Sequence, residues 1–290
     1  MRDFCNSEFF FHFSRDKTAL MGLFIVTAFV LLASAGPFLV PQNPYDLQSL
    51  DLANAYKPPA WLSGGDARFP LGTDEQGRDM LSGMVYGARV SLFIGLWVML
   101  ASCALGTAVG LWAGYSGGRV DAFLMRVVDV QLSFPAMLVA LFIMSAFGRG
   151  LFKLTIALTL VGWVRYARTI RGAALAERNR EYVEASRLIG LPPRLLALRH
   201  ILPNVATPLI VIATVHVGNV ILTEATLSYL GVGVPVTEPS LGLLVKNGYD
   251  VLFSGIWWAS VLPGSFIMAL VFGINLLGDF LRDELNPRLK

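Results

Sequence analysis

Charge is scarce in this chain. Of its 290 residues only 15% are Asp, Glu, Lys or Arg, against 55% hydrophobic ones, and the mean hydropathy is +0.61. No soluble domain of this length needs so much apolar sequence, so the composition indicates an integral membrane protein of several spans. Cysteine is nearly absent. Cys5 falls in the N-terminal tail and Cys103 inside an apolar run, which implies neither a disulfide framework nor a thiolate metal site. The three histidines, His12, His200 and His216, lie in three different segments and make no metal set. A P-loop pattern is missing, so the energy for any transport must come from a partner or an ion gradient. Zincin and nucleophile-elbow motifs are missing too, and with them any support for a membrane-embedded enzyme. The chain is therefore read as non-catalytic, with no metal and no cofactor of its own.

What is present is a series of long apolar runs. After a tail (1–18) carrying Arg2, Arg15 and Lys17 comes a run from Ala19 to Val40. Ala33-Ser34-Ala35 could close a signal peptide, but a signal core is usually ~7–15 residues, and a retained first span over 19–40 fits the longer run. Residues 41–89 are polar and proline-rich and form an extracytoplasmic loop. Near its end Thr73 and Gln76 offer a capping box for a short interfacial helix through Met80, Leu81, Met84 and Val85. Asp74, Glu75 and Asp79 lack the ligand spacing and turn glycine of a calcium loop, so the capped helix is preferred to a cation site.

Further spans are predicted at about 90–112, 122–147, 151–167, 205–230 and 256–278, giving an all-α membrane protein of six transmembrane helices with its core over 90–290. In the second span Ser102, Gly106, Gly110 and Gly114 recur every four residues, a stripe on which another helix can pack closely. At the start of the third, Asp121, Arg126 and Asp129 are spaced to pair on one face, and Pro135 predicts a kink.

One polar island, 168–204, interrupts the second half. From Arg165 to Arg199 there are eight arginines, no lysine and three glutamates, Glu177, Glu181 and Glu184. The positive-inside rule places this loop in the cytoplasm, and with six spans both termini as well. Nucleic-acid binding is a poor explanation for a basic loop tethered between spans. Gly190 separates two helical pieces, Glu181 to Ile189 and one from Pro192-Pro193 to near Pro203. The second carries an apolar stripe at Leu191, Leu195, Leu198 and Leu202, while the first centres on Glu184-Ala185-Ser186, small side chains that let another protein approach the backbone. On periodicity alone, a basic helical hairpin lying on the membrane surface is preferred to a protein-docking loop.

The pattern Glu184-Ala185-Ser186, three residues, Gly190, nine residues, His200, one residue, Leu202-Pro203 resembles the EAA loop of permease subunits of bacterial ATP-binding-cassette (ABC) importers. Ser186 stands for the second alanine and His200 for the usual aliphatic residue, which makes the dipeptide, oligopeptide and nickel branch the best match. The segment from Leu71 through Gly87-Ala-Arg-Val-Ser-Leu92 and the end from Asn275 to Arg288 also resemble that branch, although Phe280 replaces a common glycine and Asn286 a common aspartate. The resemblance implies a type I ABC importer transmembrane domain in the inner membrane. It also implies that the loop between helices 4 and 5, with Glu184, Ala185, Ser186, Gly190, Leu202 and Pro203, couples the chain to a separate ATPase. The implied partners are a second homologous permease, two ABC ATPase subunits that bind ATP and Mg, and an extracytoplasmic solute-binding protein. Di- or oligopeptides are the expected solute, with nickel chelates and glutathione as alternatives within the branch.

Intramembrane polar residues are the candidates for a pathway. His216, Asn219 and Glu224 fall in the fifth span, with His216 and Glu224 a little over two turns apart and pointing roughly the same way. A proton relay through Glu224 and His216 would make the chain an ion-coupled secondary transporter instead, whereas interhelical hydrogen bonding would give both residues a structural role.

Overall fold

The computed structural model describes residues 8–40, 43–46 and 50–285. Asn286 and the tail before residue 8 lie outside them. Among the described residues the architecture is all-helical, 77% helix with no strands. A short helix α1 (Glu8–Arg15) leads into α2 (Lys17–Leu39). Asp16 caps α2, accepting from the amides of Thr18 at 2.8 Å and Ala19 at 3.1 Å. Then come α3 (Met80–Ser116), α4 (Gly118–Leu132), α5 (Ala136–Phe147) and α6 (Leu151–Arg178). The polar island holds α7 (Glu181–Leu188), α8 (Pro193–Leu196), a π-helical turn Ala197–Ile201 and α9 (Leu202–Asn204). Helices α10 (Ala206–Tyr229), α11 (Leu241–Asp250) and α12 (Trp258–Leu285) complete the described chain.

Four helices, α2, α3, α10 and α12, are long and apolar enough to cross a membrane, and a fifth span is added if α4 and α5 are taken as one. That pair bends by 85° around Ser133–Pro135. The kink predicted at Pro135 is thus a full break, as expected where a ring removes an amide donor and disfavours helix in the residue before it. Helix α6 reaches well into the polar island, and its four arginines remove it from a purely apolar class.

The helix expected to begin near residue 90 begins at Met80. Asp79, rather than Thr73, is its cap: its carboxylate accepts from the Ser82 amide at 2.8 Å and the Ser82 hydroxyl at 2.5 Å. Among the described residues no separate interfacial helix precedes the span. The Thr73 hydroxyl is occupied elsewhere, donating to the Asn54 carbonyl at 2.5 Å and accepting from the Lys57 amide at 2.8 Å. At 37 residues and about 1.5 Å per residue, α3 is roughly 55 Å long, well beyond a hydrocarbon core of about 30 Å. Its first turns are buried against the extramembrane loop and α11 through Met80, Met84 and Gly87.

The small-residue stripe of α3 is met by α6. A Cβ placed on Gly106 would stand 2.4 Å from the Trp163 carbonyl, and one on Gly110 would stand 2.6 Å from that of Ala167. Two backbones come this close only without side chains between them. The Ser102 hydroxyl at the end of the stripe donates to the Thr159 carbonyl at 3.3 Å. Asp121 and Asp129 pair across to α6, with Arg171 and Arg168 respectively, and not with Arg126.

The N-terminal helices pack on the end of the chain. Gly22 of α2 faces Leu276 of α12, and Phe280 sits between the rings of Phe9 and Phe13, with centroids at 5.6 and 5.1 Å. The bulky residue at 280 therefore has aromatic partners from α1, so its departure from the common glycine is matched in the packing. His12 Nδ1 also meets the Glu284 carboxylate at 3.1 Å.

Candidate functional site

Two places hold the residues that the sequence singles out. The first is the polar island. Helix α7 follows α6 after a tight turn, and Val183, fully buried, anchors it in an apolar cluster with Leu111, Ile170, Leu196, Ile201 and Val205. Ser186 faces the same way, 8% exposed, its hydroxyl donating to the Tyr182 carbonyl at 2.7 Å. The opposite face is open. Glu184 and Ala185 are exposed, and beyond them Leu188 and Ile189 reach 89% and 77% exposure. Two large aliphatic side chains this exposed, at the end of a charged helix, form an open apolar patch.

Gly190 ends α7 at φ +81, a left-handed conformation in which a Cβ would be strained even though nothing lies within 4 Å of it. The return path, α8 to α9, is laced to α7. Asn204 Nδ2 donates to the Tyr182 hydroxyl at 3.0 Å and to the His200 carbonyl at 2.7 Å, and the Tyr182 hydroxyl donates to Glu177 at 2.7 Å. Leu202 packs against the Val183 cluster, and Pro203 occupies the first turn of α9. Arg178 donates to the Tyr115 carbonyl at 3.1 Å, and Arg187 lies 5.5 Å over the Tyr115 ring. These ties fix the loop to the ends of α3 and α6. Tyr115 and Asn204 were not singled out in the sequence, because their role comes from long-range contacts that no local motif displays.

The second place is α10. Glu224 is fully buried, and three serine hydroxyls donate to its carboxylate, each at 2.9 Å: Ser91 from α3, Ser228 one turn on, and Ser240 from the cap of α11. Ser228 and Ser240 in turn accept from the amides of Val234 and Leu243, both at 3.3 Å. The carboxylate is thus the centre of a closed network joining three segments, and no cleft residue contacts it through these bonds. His216, 6% exposed, meets the Tyr166 hydroxyl with Nδ1 at 3.0 Å. The predicted pair therefore does not form a unit: each member has partners of its own. Asn219, by contrast, is exposed and lines a small cleft beside His216.

The acids considered for a cation each have partners, although the buried Asp79 Oδ1 has none of its own. Asp74 forms a buried ion pair with Arg78 at 2.8 Å and accepts from the amides of Gln76 and Arg78, both at 2.9 Å. Glu75 accepts from Asn247 of α11 at 2.9 Å, and Asp79 caps α3. Among the described residues no three His, Cys, Asp or Glu gather to hold a metal.

Among the described residues the structure is a bundle of apolar helices with a structured polar loop exposed at one end. Its fold is that of a type I ABC importer permease. A solved chain of the MetNI methionine ABC transporter, in inward-facing conformations, aligns with a TM-score of 0.57 at 18% identity, covering 71% of this chain and 98% of that one. Residues 106–290 match the family described as binding-protein-dependent transport system inner membrane component, and residues 7–59 match the N-terminal TM domain of oligopeptide transport permease C. The chain is 38% identical to the dipeptide transport system permease protein DppC of Haemophilus influenzae over 98% of its length and 95% of the relative. It is 42% identical to the di/tripeptide transport system permease protein DppC of Pseudomonas aeruginosa, over 98% and 92%, and 37% identical to the oligopeptide transport system permease protein OppC of Bacillus subtilis, over 96% and 88%. The chain belongs to the binding-protein-dependent transport system inner membrane component family, whose members are non-catalytic, multi-pass permeases of the inner membrane.

Proposed function

We propose that this chain is one of two permease subunits of a peptide importer, and that α7 is the helix through which ATPase closure reaches the membrane. The observation that carries this reading is the two-sidedness of α7: Val183 and Ser186 are locked into the bundle while Glu184, Ala185, Leu188 and Ile189 stand open. Gly190 turns the chain away so that α7 protrudes, and Leu202 and Pro203 brace the return. Six spans with both termini in the cytoplasm put this loop on the ATPase side, with α6 counted as a span and α4–α5 as a broken one. The partners are a second homologous permease, two ATPase subunits holding ATP and Mg, and an extracytoplasmic binding protein. Di- or oligopeptide is the solute that the named functions of the relatives support.

The ion-coupled carrier is not favoured, because Glu224 and His216 are tied into separate networks. The reading is tested on the purified complex in lipid. Gly190→Pro and Glu184→Lys are expected to insert and assemble normally while lowering transport-coupled ATP hydrolysis several-fold. Unchanged coupling in both variants would place the ATPase contact elsewhere.

A further inference from the structure

Helix α6 carries four arginines in its second half, and three have fixed partners. Arg168 pairs with Asp129, Arg171 donates twice to Asp121 at 2.9 and 2.6 Å, and Arg178 donates to the Tyr115 carbonyl. Arg165, nearest the apolar middle of the helix, makes no hydrogen bond or ion pair with any described residue. It lines a cleft of about 150 Å³ between α6, α10 and the start of α5, together with His216, Asn219 and Thr223. The Asn219 carboxamide is likewise unengaged, and both side chains are exposed. Thr223 donates to the Asn219 carbonyl, and His216 is held by Tyr166, so the polar wall is fixed in place. The opposite wall is apolar, with Ala136 and Met137 sitting just after the 85° break.

A guanidinium beside apolar helices is costly without a counter-charge, and such residues mark pathways when they face a cavity. Two other clefts differ. They lie between α2, α3, α10 and α12 and between α10, α11 and α12, are far larger at about 800 and 550 Å³, and are lined mostly by aliphatic and aromatic side chains. Arg89 in the larger of them likewise has no partner among the described residues, but of these three clefts the small one alone sets such a cation beside an unpartnered amide. The matching ligand is a planar anion that accepts two N–H bonds from a guanidinium and a third from an amide, which is a carboxylate. The volume suits one end of a solute and not a whole peptide.

We propose that Arg165 and Asn219 form a carboxylate-recognising subsite on the translocation path, taking the terminal carboxylate of the solute as it passes α5. The assignment rests on the peptide-importer reading above. The test uses the full complex in nanodiscs, with Cys5 and Cys103 replaced by serine and Met137→Cys as a reporter on the apolar wall. Its rate of modification is measured with two methanethiosulfonates, one bearing a sulfonate and one a trimethylammonium group. Modification about tenfold faster by the anionic reagent is expected, the scale of electrostatic focusing in a cleft. That preference should vanish in Arg165→Gln, survive in Arg165→Lys, and be suppressed by dialanine but not by dialanine amide.

Equal rates for the two reagents, or a preference unchanged by Arg165→Gln, would overturn the subsite. A preference that dialanine leaves intact, or that appears in phosphatidylcholine but is abolished when phosphatidylglycerol is added, would overturn its assignment to solute and assign the site to a lipid phosphate. Dialanine uptake by the unmodified complex reads the importer proposal separately. Its failure would reject the peptide solute while the reagent ratio still judged the cleft.

Discussion

The Glu224 network separates structural from relay chemistry most sharply. Its carboxylate collects three serine hydroxyls, from α3, α10 and the start of α11, at 2.9 Å each. Hydrogen bonds to charged groups contribute about 1.5–3 kcal/mol in soluble proteins, but interhelical ones inside membrane proteins average only about 0.6 kcal/mol. Taking the lower figure, Glu224→Ala forfeits about 2 kcal/mol from three bonds, before any cost of the cavity and the stranded hydroxyls. At about 2–4 °C per kcal/mol, the melting temperature of the purified chain should fall by at least about 4–8 °C. Ser91→Ala removes one bond and should cost about a third as much. Glu224→Gln keeps an acceptor and should be milder than Glu224→Ala, with uptake retained in proportion to folded protein. The assay is thermal unfolding in detergent alongside uptake per folded molecule. An unchanged melting temperature for Glu224→Ala, combined with uptake abolished by Glu224→Gln, would refute the structural assignment and restore the carboxylate as a proton carrier.

Other outcomes follow from the same geometry. Gly110→Val would drive side-chain atoms into the Ala167 carbonyl, 2.6 Å from the Cβ position, so monodisperse protein should be lost on size exclusion; Gly172→Ala on α6, with nothing within 4 Å, is the harmless control. Asp74→Ala strands Arg78, itself 7% exposed, and should destabilise the extramembrane loop by about 3–5 kcal/mol, read as faster proteolysis there, with partial recovery in the Asp74→Ala, Arg78→Ala double variant. Gly190→Ala forces a Cβ into the left-handed region, costing about 1–2 kcal/mol, and should raise hydrogen exchange in α7 without affecting the transmembrane helices. Hydrogen bonds from Arg68, then Lys57, hold the Asp66 carboxyl below the usual carboxylate range. A depressed carboxyl stabilises above its unfolded value of about 3.9 and loses that contribution only as pH falls through the lower folded value. The 57–68 cross-link should therefore persist from pH 7 to 5 by NMR, and Asp66→Asn should loosen it at both.

What was legible in the sequence is what local pattern encodes. Apolar runs marked four long spans and the bent α4–α5 pair out of the six expected, Gly190 marked the break in the polar island, and the four-residue recurrence of Ser102, Gly106, Gly110 and Gly114 marked a helix seam, though not which helix would fill it. The start of α3 was misread because two capping patterns lie side by side, Thr73 with Gln76 and Asp79 with Ser82. Tertiary structure decides between them: Lys57 and Asn54 claim the Thr73 hydroxyl, leaving Asp79 to cap. Glu224 looked like half of a relay because helical spacing put it on one side with His216. Ser228, four residues on, is at helical spacing, but the other two partners come from residue 91, 133 positions away, and from the start of α11, which no periodicity in α10 could announce. The same reason hid Arg165: an arginine becomes informative only when its neighbours prove to be paired and it does not.

The seam and the polar island together explain how a surface helix could move a membrane cleft. Helix α6 is one unbroken element from Leu151 to Arg178. At its far end Glu177 and Arg178 tie it to Tyr182 of α7 and to Tyr115 at the end of α3, and Arg165 lines the cleft a few turns back. Its backbone touches that of α3 at Gly106 and Gly110 with no side chain between, so those two helices must shift as a pair. The α4–α5 break at Ser133–Pro135 is different: Arg168 and Arg171 bind α4 to α6, while α5 beyond the break forms the cleft's apolar wall. A displacement of α7 would carry α6, α3 and α4 together, and with α5 packed on α6 through Ala140 and Met144 against Leu154 and Leu158 it would be felt at the 85° bend. The cleft lies at that hinge. On the proposed reading, closure of a partner against Glu184, Leu188 and Ile189 would reach the cleft beside Arg165 through the unbroken α6.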